Sequence, residues 1–405
     1  MNPGAASALT PIELRASLSL AAIFGLRMLG LFLILPVFAI EAAQYPGGHN
    51  PALIGLAMGV YGLTQAALQF VYGWASDRLG RKRVIVFGLL VFAAGSLVAM
   101  QATDLMWLVI GRAVQGAGAI SAAVTALLAD MTRDQVRTKS MALIGASIGL
   151  MFALSLVAAP VLAAHVGLVG IFGLTAVLAI LGVAGVLWWV PPEPTEHRHR
   201  PTGPWSGALH SVALMRLYVG VFILHAVQLA MWMAVPALLE QAGLDHDHHW
   251  QVYLPAVLGS FVLMGASLFH LEKRGYLRAV FLVSIGLTAL VQLGLCLMAI
   301  YQPHVGGLAV LLFVFFYGFN VLEASQPSMV SKVAPAPVRG AAMGVYNTLQ
   351  SLGLFAGGVM GGWLVQHGGA AGLFAVCGGL MLIWLVVAWP MYTPRPTRLI
   401  TPSTN

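Results

Sequence analysis

Charge is what this chain has least of. Asp, Glu, Lys and Arg make up 8% of its 405 residues, against about 25% in an ordinary soluble protein. A soluble fold cannot cover itself with so little. With 59% hydrophobic residues and a mean hydropathy of +0.88, that class is excluded. Cysteine is nearly absent as well: Cys296 and Cys377 lie inside apolar runs and read as small packing residues, without a disulfide or a metal pair. There is no nucleophile motif, no phosphate-binding glycine-rich loop and no polar segment long enough for a nucleotide domain, which argues against an enzyme, a cofactor site or ATP drive from this chain. No Asn-x-Ser/Thr sequon occurs, as suits a bacterial membrane. The first apolar run, from about Ser17 to Ala43, is too long for a cleavable leader and has no basic region before it, so it is expected to be retained.

What is present is a series of apolar runs, each near the roughly 20 residues that a membrane-spanning helix needs. Twelve can be drawn, over 17–43, 51–76, 84–102, 105–130, 138–164, 167–190, 214–241, 250–271, 279–300, 306–333, 340–366 and 369–391. The expected fold is therefore an all-α membrane protein of twelve transmembrane helices. Its expected divisions are a first six-helix bundle over 1–190, a linker over 191–213, a second bundle over 214–391 and a tail over 392–405. Connections are short except for the polar, proline-rich linker.

The basic residues sort by side. Arg15, Arg78, Arg81, Lys82, Arg83, the Arg133–Lys139 group, the linker arginines, Arg216, the Lys273–Arg278 group, Lys332, Arg339 and the tail arginines all fall on one face of this scheme. Only Arg27 and Arg112 lie within spans, and the opposite loops carry neither Lys nor Arg. By the positive-inside rule both termini are cytoplasmic, in a bacterial inner membrane. The net charge of +7 is thus topological and does not indicate nucleic acid. On the other face lie Asp104, His165, Glu240 and the run Asp245–His249, which reads as solvated although imidazole and carboxylate suit Zn²⁺ or Ni²⁺. A faint repeat joins the halves: Arg137-x-x-x-Met141 and Arg339-x-x-x-Met343 are offset by 202, as are Asp130 and Lys332.

Between the second and third runs stands Gly73-Trp74-Ala75-Ser76-Asp77-Arg78-Leu79-Gly80-Arg81-Lys82-Arg83. Gly73 and Gly80 suit close helix approach and a tight turn. Asp77 can pair with arginine or accept from the amides of a helix N-terminus, and Arg81, Lys82 and Arg83 can meet anionic headgroups. The pattern resembles the signature loop of major facilitator superfamily transporters. Further segments, Arg27 to Pro36, Tyr61 to Ala66, Gly111 to Ile120 and Gly340 to Tyr346, resemble the YajR group within that superfamily. The resemblance implies alternating access. It also implies that Asp77, Arg81 and Asp130 form a cluster that holds the outward-facing state by engaging the start of span 11. Arg112, by the same resemblance, belongs to a motif linked to proton transfer in related antiporters. A further C-terminal soluble domain known in that group is not expected here. The Gly-Pro-x-x-Gly-Gly-like motif of drug antiporters is only half kept, with Pro160 but without the glycines, which weakens an antiporter assignment relative to a transporter one.

Ionisable groups inside spans mark functional positions by default. Arg27, Arg112, His225 and Glu323 fall one each in spans 1, 4, 7 and 10. A desolvated glutamate can exchange a proton near neutral pH, so Glu323 is the first candidate for coupling; the alternative is a neutral group satisfied by Asn320 or a helix neighbour. His225 is either a second titrating group or a packed neutral ring. Arg112 has Gln115 on its face at i+3, which leaves proton transfer and structural hydrogen bonding both open. Arg27 can bind an anionic substrate group or neutralise Glu323. Tyr61, Gln65 and Gln69 share one helix face, as do Tyr346 and Gln350, and they line a path or bond neighbouring helices. Trp232 is an aromatic wall or a packing residue.

The leading expectation is a secondary transporter moving a small molecule by proton-coupled export, probed against proton-coupled uptake as the alternative. A non-transporting sensor or membrane enzyme is the reading from another class. The expected partners are the substrate, protons and the bilayer, for a monomeric protein with no cofactor or bound metal.

Overall fold

The computed structural model describes residues 9–193, 211–335 and 338–391. Most of the linker, with Arg198, Arg200, His197 and His199, and the tail from 392 onward, with Arg395 and Arg398, lie outside the described residues. Among those described there is no strand. Thirteen α-helices follow in order: α1 Pro11–Phe32, α2 Phe38–Ala42, α3 Pro51–Leu79, α4 Arg81–Met100, α5 Leu105–Ala117, α6 Ser121–Asp130, α7 Asp134–Trp188, α8 Val212–Met231, α9 Val235–Gln241, α10 Trp250–Lys273, α11 Leu277–Ile300, α12 Val305–Val333 and α13 Arg339–Ala388.

Local chemistry sets several starts. Thr10 and Glu13 form a reciprocal capping box at α1. The Asn50 side chain accepts from Ala52 and Leu53, with Pro51 in the first turn of α3. Asp104 accepts from the Trp107 amide at 3.0 Å to cap α5. Gly80 ends α3 at φ 97°, a backbone region that favours glycine, so this half of the expectation for the charged loop holds. Gly73 is different. A methyl there would meet the Ala122 Cβ at 3.8 Å, an ordinary contact, so no close approach depends on it.

Ten helical runs among the described residues are long and apolar enough to cross a membrane. Two are far longer than one crossing requires: α7 has 55 residues and α13 has 50. At about 1.5 Å per residue each would exceed twice the roughly 30 Å of a hydrocarbon core. Each contains one non-helical residue, Gly167 (φ 59°, ψ −168°) and Gly369 (φ 63°, ψ −170°). That backbone region is essentially reserved for glycine. The two glycines are again 202 apart, so the sequence repeat recurs as a repeated backbone conformation.

Three expected spans are interrupted. The first breaks at residues 33–37, the fourth at 118–120 and the seventh at 232–234. Non-helical backbone at such depth is tolerated where protein surrounds it, and Leu33, Ile34, Ala119, Ile120, Trp232 and Met233 are all buried.

The helices up to α7 pack on one another, as do those from α8 onward, and α3 lies along α13 between them. Their crossing is antiparallel and lined by glycine. A methyl on Gly59 would fall 2.6 Å from the Phe355 carbonyl, and one on Gly358 would fall 2.5 Å from the Gly55 carbonyl and 2.6 Å from the Gly59 nitrogen. Gly55, Gly62 and Gly362 are closed by backbone in the same way. This seam occupies the Pro51 end of α3, away from Asp77. Another glycine face of α13, Gly353, Gly357 and Gly361, seats against Phe222, Ala226 and Ala230 of α8. Small residues let helix backbones approach where lipid supplies no hydrophobic drive.

Candidate functional site

Two polar clusters face each other across the α3–α13 crossing. The first is built on arginine. Arg27 of α1 is 1% exposed. Its Nη2 donates to the Tyr61 hydroxyl at 2.6 Å, to Gln65 Oε1 at 2.9 Å and to the Gly118 carbonyl at 3.3 Å. The last acceptor lies in the break between α5 and α6. Arg112 of α5, equally buried, donates through Nη1 to Gln115 Oε1 at 2.8 Å, and Gln115 donates on to Ser96 at 2.8 Å. The i+3 pairing read from the sequence is therefore present. Both guanidinia lie over the Tyr61 ring, at 5.9 Å and 4.9 Å from its centroid, and Arg27 also lies 5.4 Å from that of Phe92. Neither arginine has a carboxylate partner among the described residues. A desolvated cation over a ring gains about 2 kcal/mol, less than the several kcal/mol that burying the ion costs.

The second cluster holds the carboxylate. Glu323 of α12 meets His225 of α8, with Oε2 at 3.4 Å from Nε2. Gln350 of α13 joins them, its amide nitrogen 2.7 Å from His225 Nε2 and 3.1 Å from Glu323 Oε1. His225 Nδ1 lies 2.9 Å from the Val221 carbonyl and must carry a proton to donate there. Its Nε2 faces both the Gln350 amide and the Glu323 carboxylate. Tyr346, one turn before Gln350, is buried with its hydroxyl unpartnered. Pro327 has no amide to offer the Glu323 carbonyl four residues earlier, which loosens α12 at this point.

One bond runs from the first cluster to the helix that carries Gln350. Gln65 Nε2 donates to Ser351 Oγ at 2.9 Å while its Oε1 accepts from Arg27. The structure thus brings Arg27, Tyr61 and Gln65 together, and His225, Glu323, Tyr346 and Gln350 together. It does not bring Arg27 to Glu323, so neutralisation of one by the other is absent from this arrangement. It does not bring Asn320 to Glu323 either: the Asn320 amide donates to Ser260 Oγ of α10 at 2.9 Å, and Gln350 takes the place expected for it. Trp232 packs edge-on to Tyr253 at 5.5 Å and lines a small apolar cavity with Gln228 and Phe316.

At the far end of α3, Arg81 Nη1 pairs with Asp77 and bonds Ser76 at 2.7 Å, while Nε pairs with Asp130 at 3.1 Å. Arg78 stacks on Trp74 at 4.3 Å. No hydrogen bond or ion pair joins Asp77, Arg81 or Asp130 to the start of α13 among the described residues. The cluster is formed without that expected engagement. Lys82, expected to face lipid headgroups, instead donates to the Val190 carbonyl at 2.7 Å.

Two acidic residues went unread in the sequence. Glu193 accepts from the Arg81 amide at 3.1 Å and from the Lys82 amide, capping α4 from the linker. Glu13, 5% exposed, receives Arg133 Nε at 2.8 Å and Nη2 at 2.9 Å and ties α1 to the start of α7. The Thr-x-x-Glu capping pattern signals the position of Glu13 but not its partner. The Asp245–His249 run also divides. Asp245, Asp247 and His248 stand close together at the surface, whereas His249 is 1% exposed, bonded to the Leu244 carbonyl at 3.1 Å, and so is not the solvated group expected.

A profile described as Major Facilitator Superfamily matches residues 20–358 and, in a second match, 271–404. The chain belongs to the major facilitator superfamily. It is 40% identical over 390 residues to the inner membrane transport protein YajR of Escherichia coli (strain K12), covering 95% of this chain and 85% of that one. It is 26% identical to the multidrug resistance protein MdtH of Aeromonas salmonicida (strain A449), over 85% of this chain and 86% of the relative. Among solved structures, the nucleoside transporter NupG superposes with a TM-score of 0.73 at 15% identity, covering 93% of this chain and all of that one. This chain is thus a membrane transporter and not an enzyme, with a small molecule as its implied substrate.

Proposed function

We propose that this major facilitator is a proton-coupled exporter of a small molecule, built as two six-helix bundles with twelve spans and both termini in the cytoplasm. The single observation that carries the coupling is the His225–Gln350–Glu323 cluster. It sets a carboxylate and an imidazole on two helices of the second half, with an amide from a third, beside the bond from Gln65 to Ser351 that crosses between halves. A proton arriving there changes which atoms donate, and the change is passed to α13, the helix that closes on α3.

The breaks at Gly167 and Gly369 support a count of twelve, since each divides one long helical run into two crossings. The one-sided distribution of Lys and Arg supports cytoplasmic termini. With the basic end inside, the α3–α13 glycine seam closes the outer side. The conformer then faces the cytoplasm, in keeping with an Asp77–Arg81–Asp130 cluster not engaged with α13. The multidrug name of one relative lends support to export.

Reconstitution into proteoliposomes with an entrapped pH dye, challenged with a panel of amphipathic small molecules, tests this reading. Substrate-dependent proton flux that disappears in Glu323→Gln is the expected result. Flux in the uptake orientation only would reverse the direction, and folded protein without flux for any substrate would overturn the coupling.

A further inference from the structure

Cations hold the ends of α7 and α13 in matching ways. Arg15, the fifth residue of α1, donates from Nε to the Trp189 carbonyl at 2.9 Å. Lys82, the second residue of α4, reaches the Val190 carbonyl at 2.7 Å. In the second half, Arg216, the fifth residue of α8, donates to the Pro390 carbonyl at 3.2 Å. Arg278, the second residue of α11, donates to the Trp389 carbonyl at 2.6 Å. These acceptors lie at helix C-termini, where carbonyls lack helical partners and the dipole favours positive charge.

The counter-charge is where the two corners differ. The first contains Glu193, whose carboxylate lies on the amides of Arg81 and Lys82. In the second, neither Arg216 nor Arg278 has a carboxylate partner among the described residues, and α11 starts without a side-chain cap. The sequence from Met391 to Asn405, which stands where Glu193 follows α7, contains no Asp or Glu. Beside the two arginines the end of α13 presents a largely exposed apolar face of Leu385, Val386, Trp389 and Pro390. Trp389 is 62% exposed and Tyr276 is 56% exposed, the aromatic pattern of a membrane interface.

We propose that this corner binds an anionic phospholipid, its phosphate on Arg216 and Arg278 and one acyl chain along the apolar face from Leu385 to Pro390. The phosphate supplies the negative charge that Glu193 supplies in the first half. The apolar face beside the arginines favours a lipid over a soluble anion, which would leave that face uncovered. Basic pockets between transmembrane helices are recognised sites for such headgroups.

Native mass spectrometry of the full chain in detergent, titrated with dioleoyl-phosphatidylglycerol or dioleoyl-phosphatidylcholine, tests the proposal. Wild type is expected to retain the anionic lipid preferentially. Arg216→Gln/Arg278→Gln is expected to lose that preference by about tenfold or more, while Arg216→Lys/Arg278→Lys keeps most of it and Arg15→Gln changes little. Should the double glutamine variant aggregate, Arg278→Gln alone is read in the same way. Inorganic phosphate is expected not to compete. Equal retention of both lipids by wild type, undiminished preference in folded glutamine variants, or displacement by inorganic phosphate would each overturn the proposal.

Discussion

The Gln65 amide donates to the Ser351 hydroxyl at 2.9 Å, and this bond links residues 286 positions apart in sequence across the two halves of the chain. It adjoins the carbonyl-to-glycine contacts of the α3–α13 seam, and Gln65 holds Arg27 with its other end. Opening the seam must break it. A net hydrogen bond contributes about 1 kcal/mol, so Ser351→Ala is expected to shift the population away from the closed seam by about fivefold. Spin-label distances measured across the Pro51 end of α3 will report the shift; an unaltered distribution refutes the role of the bond.

Gly358→Ala is expected to disfavour closure strongly. Its methyl would stand 2.5 Å from the Gly55 carbonyl, and backbone on both sides leaves little room to yield. Overpacking of this kind costs about 1–3 kcal/mol, and it acts only in the closed conformer. Gly286→Ala, where nothing lies within 4 Å, is the control and should transport normally. Transport rates in proteoliposomes separate the two variants.

Glu323→Gln is expected to keep the fold, because a glutamine oxygen can still accept from Gln350. In the proposed coupling it cannot carry the proton. Flux driven by a pH gradient should fall by about tenfold or more, while substrate counterflow without a gradient persists. Equal loss of both activities would mark Glu323 as a substrate ligand.

Asp77→Asn separates gating from stability. The Asp77 side chain is 61% exposed, and its i,i+4 pair with Arg81 is worth less than about 1 kcal/mol to folding. Its unfolding temperature should barely move. Cysteine accessibility of the two faces should nevertheless shift toward the state open at the basic end, with slower transport. An identical labelling pattern in wild type and variant would count against a gating role.

The sequence made parts of both clusters legible for a simple reason. Tyr61 with Gln65, Arg112 with Gln115, and Tyr346 with Gln350 lie three or four residues apart on one helix, where spacing dictates a shared face. The charged loop was legible because five charges stand out against an apolar background. Partners across helices left no such trace. Nothing in the spacing of Asn320 and Glu323 reveals that the amide turns to Ser260 and that Gln350 takes its place. The glycines of the seam look like those of any membrane helix until α13 is laid against α3. Breaks at residues 33–37, 118–120 and 232–234 escaped notice because their residues are as apolar as their helical neighbours, and hydropathy reads composition without backbone geometry.

Gly167 and Gly369 each turn the chain within a continuous helical run, with no separate loop. On the face away from the basic residues, chain outside the α-helices is therefore confined to residues 43–50, 101–104, 242–249 and 301–304. A binder raised against that face has only these short segments to grip, and a protease added there meets few extended peptides. An epitope tag belongs beside Asp245, which is exposed and charged, whereas an insertion at either glycine would separate two helices that the fold joins directly.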